Sequence, residues 1–209
     1  MTITDLTMDF TGERFAPEIK KEKLFLKSGK TEYTGVVYTL THDGMSGTYI
    51  DFPGHIAETD NGATAENYPV EDLYRVKADV IRFHKQSGDG AVNGEDLEKA
   101  LPADREKCKI LVINALGEKN PKDIEERSVY LSDSAVEWII RNNYTLVVSD
   151  IYESQALHGV FLKLFAAGIS TVCMPVNLYK LPEKQIWLTV LFAKMPSVTQ
   201  LPCRVVAEY

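Results

Sequence analysis

The 209-residue chain is short of cysteine, of histidine and of long apolar runs, and each shortage removes a class of protein. No apolar run approaches the ~18 residues that a membrane-spanning helix needs, so no membrane partner or span is expected. The first ten residues carry Asp5 and Asp9 and no basic residue, and so do not read as a secretory leader. Three cysteines, Cys108, Cys173 and Cys203, form an odd and widely spaced set, which predicts reduced thiols in a cytoplasmic protein. Positive charge is also scarce. With 23 Lys and Arg against 30 Asp and Glu, the net charge of −7 argues against nucleic acid as a partner. No repeat or low-complexity segment is visible. At 44% hydrophobic and 25% charged residues the chain reads as one globular domain spanning 1–209.

What is present is a succession of strand and helix signals. Strand-like stretches lie around 23–27 and 32–40, and again over 77–84. Gly94-Glu95-Asp96-Leu97 opens a short helix that Pro102 ends, and 110–113 is a continuous apolar run suited to a central strand. Ser132 or Asp133 can N-cap a helix with Ala135, Trp138 and Ile139 on one face and Asn142-Asn143 as its stop. A strand over 144–148, a helix from about 155 to 167 closed by Gly168, and strands over 169–173 and 186–193 follow. The pattern predicts an α/β domain, a mixed sheet with helices packed on it. Either tryptophan, Trp138 or Trp187, is a candidate interface residue.

One segment concentrates chemistry. Ser46-Gly47-Thr48-Tyr49-Ile50-Asp51-Phe52-Pro53-Gly54-His55 combines small residues, a Pro that fixes the backbone, and an Asp and a His four apart. It resembles the signature of the kynurenine formamidase/cyclase family, His-x-Gly-Thr-His-x-Asp-x-Pro-x-His. Gly47, Thr48, Asp51, Pro53 and His55 match, whereas Met45 and Tyr49 stand at the two leading histidines. Asp5-Leu6-Thr7, Asp60-Asn61-Gly62, Tyr68-Pro69, Leu157-His158, Asn177-Leu178 and Pro202-Cys203-Arg204 are similar to further family segments, in the same order. The resemblance implies a swivelling β/β/α cyclase-like domain, assembled as a homodimer or homotetramer.

It also implies a hydrolase. One divalent metal, Zn or Mn, would lower the pKa of bound water from about 16 to about 7 for attack on a small amide, lactam or ester. An N-formyl amide of tryptophan catabolism is one such substrate. Carried over by position, Asp51 and His158 become metal ligands, and Cys173 falls where the family has a Glu. His55 becomes the general base, Tyr49 an oxyanion donor, and Phe52 and Glu153 substrate-side residues, with Asp150 beside them. Read without the resemblance, Asp51 is a turn acceptor, His55 and His158 are hydrogen-bonded interior histidines, and Cys173 is a small buried hydrophobe. Glu118, Glu125 and Glu126 belong to a charged loop that could close over a pocket. Because three ligand positions are changed, the alternatives are a site with no metal and a pseudoenzyme that keeps the fold to bind a small molecule.

Overall fold

The computed structural model describes residues 1–10, 16–102, 105–124 and 126–209, so Glu125 lies outside the described residues. A short β1 (Ile3–Asp5) precedes a long hairpin, β2 (Glu18–Ser28) and β3 (Thr31–Thr41), and then β4 (Tyr49–Asp51). Next come β5 (Val76–Arg82), β6 (Gly90–Val92), α1 (Gly94–Ala100), β7 (Ile110–Asn114), β8 (Val129–Leu131) and α2 (Asp133–Arg141). They are followed by β9 (Leu146–Ser149), α3 (Val160–Ala166), β10 (Ser170–Cys173), β11 (Ile186–Leu191), β12 (Gln200–Pro202) and β13 (Arg204–Glu208). No helix among the described residues is long and apolar enough to cross a membrane.

Local sequence explains the helix ends. Asn93 and Asp96 form a reciprocal capping box on α1, and Ser132 accepts the Ala135 N–H at 3.3 Å to open α2. The expected helix from about 155 is shorter: α3 starts only at Val160, because Leu157 (φ 57°) and Gly159 (φ 78°) are left-handed. Gly168, also left-handed at φ 76°, closes it as expected.

Nine strands form one mixed sheet in the order β1-β13-β11-β5-β7-β9-β10-β4-β12. The central β5, β7, β9 and β10 run parallel, and the strands on either side are antiparallel. Alternation sorts the core into two layers. Ile110, Val112, Leu146 and Val148 enter one cluster; Leu111, Ile113 and Val147 enter the other, beneath the helices. The first cluster also gathers Ile50 and Leu201 from one end of the sheet and Val205 and Ala207 from the other, so the sheet curls around it. Trp138 is not an interface residue: it is 1% exposed in the helix-side core and its indole N–H is bonded to Glu98. Trp187 is 41% exposed, flanked by Arg75 and Lys77.

The β2–β3 hairpin stands apart from this body. Its register, from Glu18 opposite Thr41 to Ser28 opposite Thr31, puts Ile19, Phe25, Val36, Tyr38 and Leu40 on one face. Leu24, Leu26, Tyr33 and Val37 occupy the other, and all nine side chains are exposed.

Candidate functional site

Strand β4 is three residues long, yet it brings the candidate site together. Its register sets Tyr49 opposite Cys173 of β10 and Pro202 of β12, and Asp51 opposite Thr171 and Gln200. Directly opposed residues share a face, so Tyr49, Asp51, Thr171, Cys173 and Gln200 project together, while Ile50, Val172 and Leu201 point into the other core layer.

The matched motif residues hold this strand in place. Thr48 is fully buried; its hydroxyl accepts the Met8 N–H and donates to the Met174 carbonyl, both at 2.8 Å. Gly47 is left-handed at φ 66°, and a Cβ there would sit 2.5 Å from the Phe10 ring. Pro53 opens a single 3-10 turn, Pro53–His55, whose fixed φ suits that position. The Gly-Thr and Pro positions are therefore architectural.

Asp51 is 3% exposed. Gln200 Nε2 donates to its Oδ1 at 2.7 Å and also to His55 Nε2 at 3.2 Å, while the Cys173 thiol donates to Oδ2 at 3.7 Å. Burial pushes the carboxyl up to about 6, against His55, Gln200 and Cys173, which hold it down. Burial, then the Asp51 charge, raises the Cys173 thiol well above its ordinary value. The Tyr49 phenol is raised by burial and then by Cys173 and Asp51, with Arg127 opposing. Near neutral pH the phenol and thiol are thus protonated. His55 is exposed on its turn, edge-on to Phe165 with ring centroids 6.3 Å apart.

Tyr49 is the member of the cluster that reaches open space. It lines a cavity of about 760 Å³, within the range of small-molecule sites. Met45, Met174 and Phe161 supply apolar wall, and Arg127, Lys119 and Lys122 supply cationic wall. Glu118 is outside that wall, Glu126 is in it, and neither Asp51 nor His55 lines it.

Other expected site residues are placed differently. Phe52 is fully buried against Tyr68 and Phe192, at ring-centroid distances of 5.0 and 5.6 Å, so it is core and not substrate-side. His158 lies before α3, not on it; it is exposed and its ring stacks on Tyr130 at 5.1 Å, so it is not an interior histidine. Glu153 does line the cavity, but its carboxylate accepts the backbone N–H groups of His158 and Val160, the latter at 2.8 Å, and so caps α3. Asp150, raised by burial to about 6, accepts from Ala115 N–H at 2.8 Å, Leu116 N–H at 3.0 Å and Asn114 Nδ2 at 2.8 Å. Both acids fix the cavity's frame. Glu153→Ala is expected to cost about 1–2 kcal/mol of stability by orphaning two donors at a helix N-terminus. Denaturant unfolding would check this, and a variant as stable as the parent would refute the cap.

The donor set does not fit a divalent cation. Among the described residues, no three His, Cys, Asp or Glu side chains converge as metal ligands, so the expected Asp51–His158–Cys173 trio does not assemble. Both Asp51 oxygens already accept hydrogen bonds, Oδ1 from Gln200 and Oδ2 from the Cys173 thiol. Sequence reasoning missed Gln200, which no motif marks and which lies 149 residues from Asp51, and Arg127, one charge within a mixed loop.

A family model described as "Cyclase: Putative cyclase" matches residues 4–155. No curated protein matches the chain. Among solved structures, a predicted metal-dependent hydrolase from Bacillus stearothermophilus superposes with a TM-score of 0.66 at 19% identity, covering 99% of this chain and 97% of that one. Isatin hydrolase A from Labrenzia aggregata gives 0.71 at 16%, covering 99% and 93%. An isatin hydrolase bound to the product analogue thioisatinate gives 0.72 at 18%, covering 99% and 92%. At these identities the likeness establishes the fold, and it is the cyclase-type α/β fold that the sequence led us to expect.

Proposed function

We propose that this chain, which belongs to the cyclase family, keeps the family's small-molecule pocket but not hydrolysis by a divalent metal at Asp51. One observation carries this reading: Asp51 is buried, bonded to Gln200 and Cys173, and outside the cavity that Tyr49 lines. The ligand that suits the cavity is a small aromatic or cyclic amide, lactam or ester. Tyr49 and Phe161 offer ring surface to such a molecule, and the Tyr49 phenol, held protonated, can donate to its carbonyl. Arg127, near enough to act on the Tyr49 phenol, can offer its guanidinium to an electron-rich group beside that carbonyl, on a wall that also carries Asp123 and Glu126.

A hydrolase is the second reading, and one observation favours it: the chain's fold neighbours include isatin hydrolases. In that case the phenol polarises the carbonyl, and Asp51 acts through Cys173 and Tyr49 as a positioning and charge-balancing group.

Isatin and N-formylkynurenine are the probes. The proposal expects both the thermal midpoint and calorimetry to report binding, weakened at least tenfold in Tyr49→Phe, where one donor is lost from a desolvated site. Added Zn²⁺ or Mn²⁺ should leave binding and any turnover unchanged, as should a chelator. Stoichiometric bound metal with chelator-sensitive turnover would overturn the proposal; turnover indifferent to chelator would select the second reading.

A further inference from the structure

The sequence holds two Asn-Gly pairs, Asn61-Gly62 and Asn93-Gly94, and the fold treats them in opposite ways. A glycine after an asparagine leaves its own backbone nitrogen open to the asparagine side chain, because no Cβ screens it and its φ is free. At Asn61-Gly62 both residues are exposed. Asp60 Oδ1 accepts the Gly62 N–H at 2.9 Å, and Asn61 Oδ1 accepts the Ala63 N–H at 3.1 Å. The first contact sets a carboxylate on the proton that the nitrogen must lose to become a nucleophile. The second draws electrons from Asn61 Cγ and meets the negative charge that an attack there would put on Oδ1. Asn67 Nδ2 donates to the Gly62 carbonyl at 2.8 Å, and nothing lies within 4 Å of a Cβ built on Gly62, so the turn is held in shape without being covered.

Asn93-Gly94 has the same two residues in a closed setting. Asn93 is the N-cap of α1: its side chain accepts the Asp96 N–H, and the Asp96 carboxylate accepts the Asn93 N–H at 2.8 Å. The Gly94 N–H donates to the Ser134 hydroxyl at 3.1 Å, and a Cβ on Gly94 would lie 2.5 Å from the Ser134 carbonyl oxygen of α2. Ring closure there would have to draw Gly94 out of this buried contact and undo the cap.

We infer that Asn61 is a site of spontaneous, fold-assisted deamidation, with Asp60 as the base and water as the only co-reactant. The Gly62 nitrogen passes its proton to Asp60 and bonds to Asn61 Cγ. The Cγ–Nδ2 bond then breaks and Nδ2, taking up that proton, leaves as ammonia, so that a cyclic imide remains. Water opens the imide. Cleavage at Cγ gives aspartate in an ordinary chain, and cleavage at the main-chain carbonyl gives isoaspartate, with the backbone rerouted through Cγ. Nothing is oxidised or reduced. Either product adds a carboxylate next to Asp60 in the chain. Asp60 Oδ1 lies 2.7 Å from the Cβ position of Gly54, and the Thr59 hydroxyl donates to the Pro53 carbonyl at 2.7 Å, so the new charge arises beside the turn that carries His55. Asn61 does not line the cavity, and the reaction needs no ligand there.

Peptide mapping by mass spectrometry of the full chain, held at mildly alkaline pH and sampled over time, tests this. The reading is the fraction of each asparagine that has exchanged its NH2 for OH. In the folded chain Asn61 is expected to convert at least about tenfold faster than Asn93. In guanidinium, with the chain unfolded, the two rates should converge, since the fold alone separates them. That comparison needs no variant. Asp60→Asn keeps an acceptor for the Gly62 N–H but removes the base, so conversion at Asn61 should slow about tenfold or more while circular dichroism matches the parent. Equal rates at the two pairs in the folded chain overturn the assignment. So does a gap that persists in guanidinium, or an Asp60→Asn chain that converts as fast as the parent.

Discussion

Gly47→Ala is expected to lower the unfolding free energy by about 3 kcal/mol, of which roughly 1 is backbone and the rest is collision. The backbone part is the cost of holding an L-residue at φ 66°. The collision arises because the new Cβ would lie 2.5 Å from two carbons of the Phe10 ring and 3.0 Å from the Met8 carbonyl. That carbonyl belongs to the residue whose N–H is held by Thr48, so the strand entry cannot retreat without loosening β4. Gly62→Ala is the control: φ is 81°, but nothing lies within 4 Å of its Cβ, so only the backbone part of about 1 kcal/mol should appear. Urea unfolding of both variants gives the difference. Equal losses at the two glycines would show that Phe10 moves aside freely and that the turn is not fixed by contact.

The second large effect concerns pH. The Asp51 carboxyl sits near 6 in the folded chain and near 3.8 when unfolded, so between those values the folded state binds more protons. Its contribution to stability is therefore fully present below about 3.8 and is lost as pH rises through 6. Asp150 shifts the same way for the same reason, burial. Asp51→Asn removes the titration while keeping an acceptor for Gln200 and nearly the same shape. Relative to the parent, it should be about 2 kcal/mol more stable near pH 7.5 than near pH 4. Thermal or denaturant melts at the two pH values check this. A difference between variant and parent that stays constant with pH would mean that Asp51 is solvated in solution.

Much of the fold was legible because strand alternation and helix caps are local. Ser132, Asn142 and Gly168 mark their boundaries as short-range chemistry says they should. The start of α3 was not legible, since apolar periodicity through Phe161 and Phe165 extends backward to residues whose positive φ is set by Glu153 and the surrounding packing. His158 therefore falls before the helix and not on its buried face. The burial of Phe52 is legible in strand alternation: Tyr49 and Asp51 occupy one face, so the position after Asp51 belongs to the opposite, core-facing side. Gln200 was beyond reach, because its contact with Asp51 depends on the register of two strands far apart in sequence, which a single chain does not encode locally.

The two ends of the nine-stranded sheet are blunt. Its outermost strands, β1 and β12, are three residues each; one carries Asp5, paired with Arg204, and the other Pro202, which has no N–H to offer. The body is thus poorly suited to recruiting a foreign strand, and the long edges of β2 and β3 are where the chain can do so. While the body stays folded, strand addition between copies would therefore begin on the hairpin edges. Solubility under heat would then be governed by these two strands before the core melts.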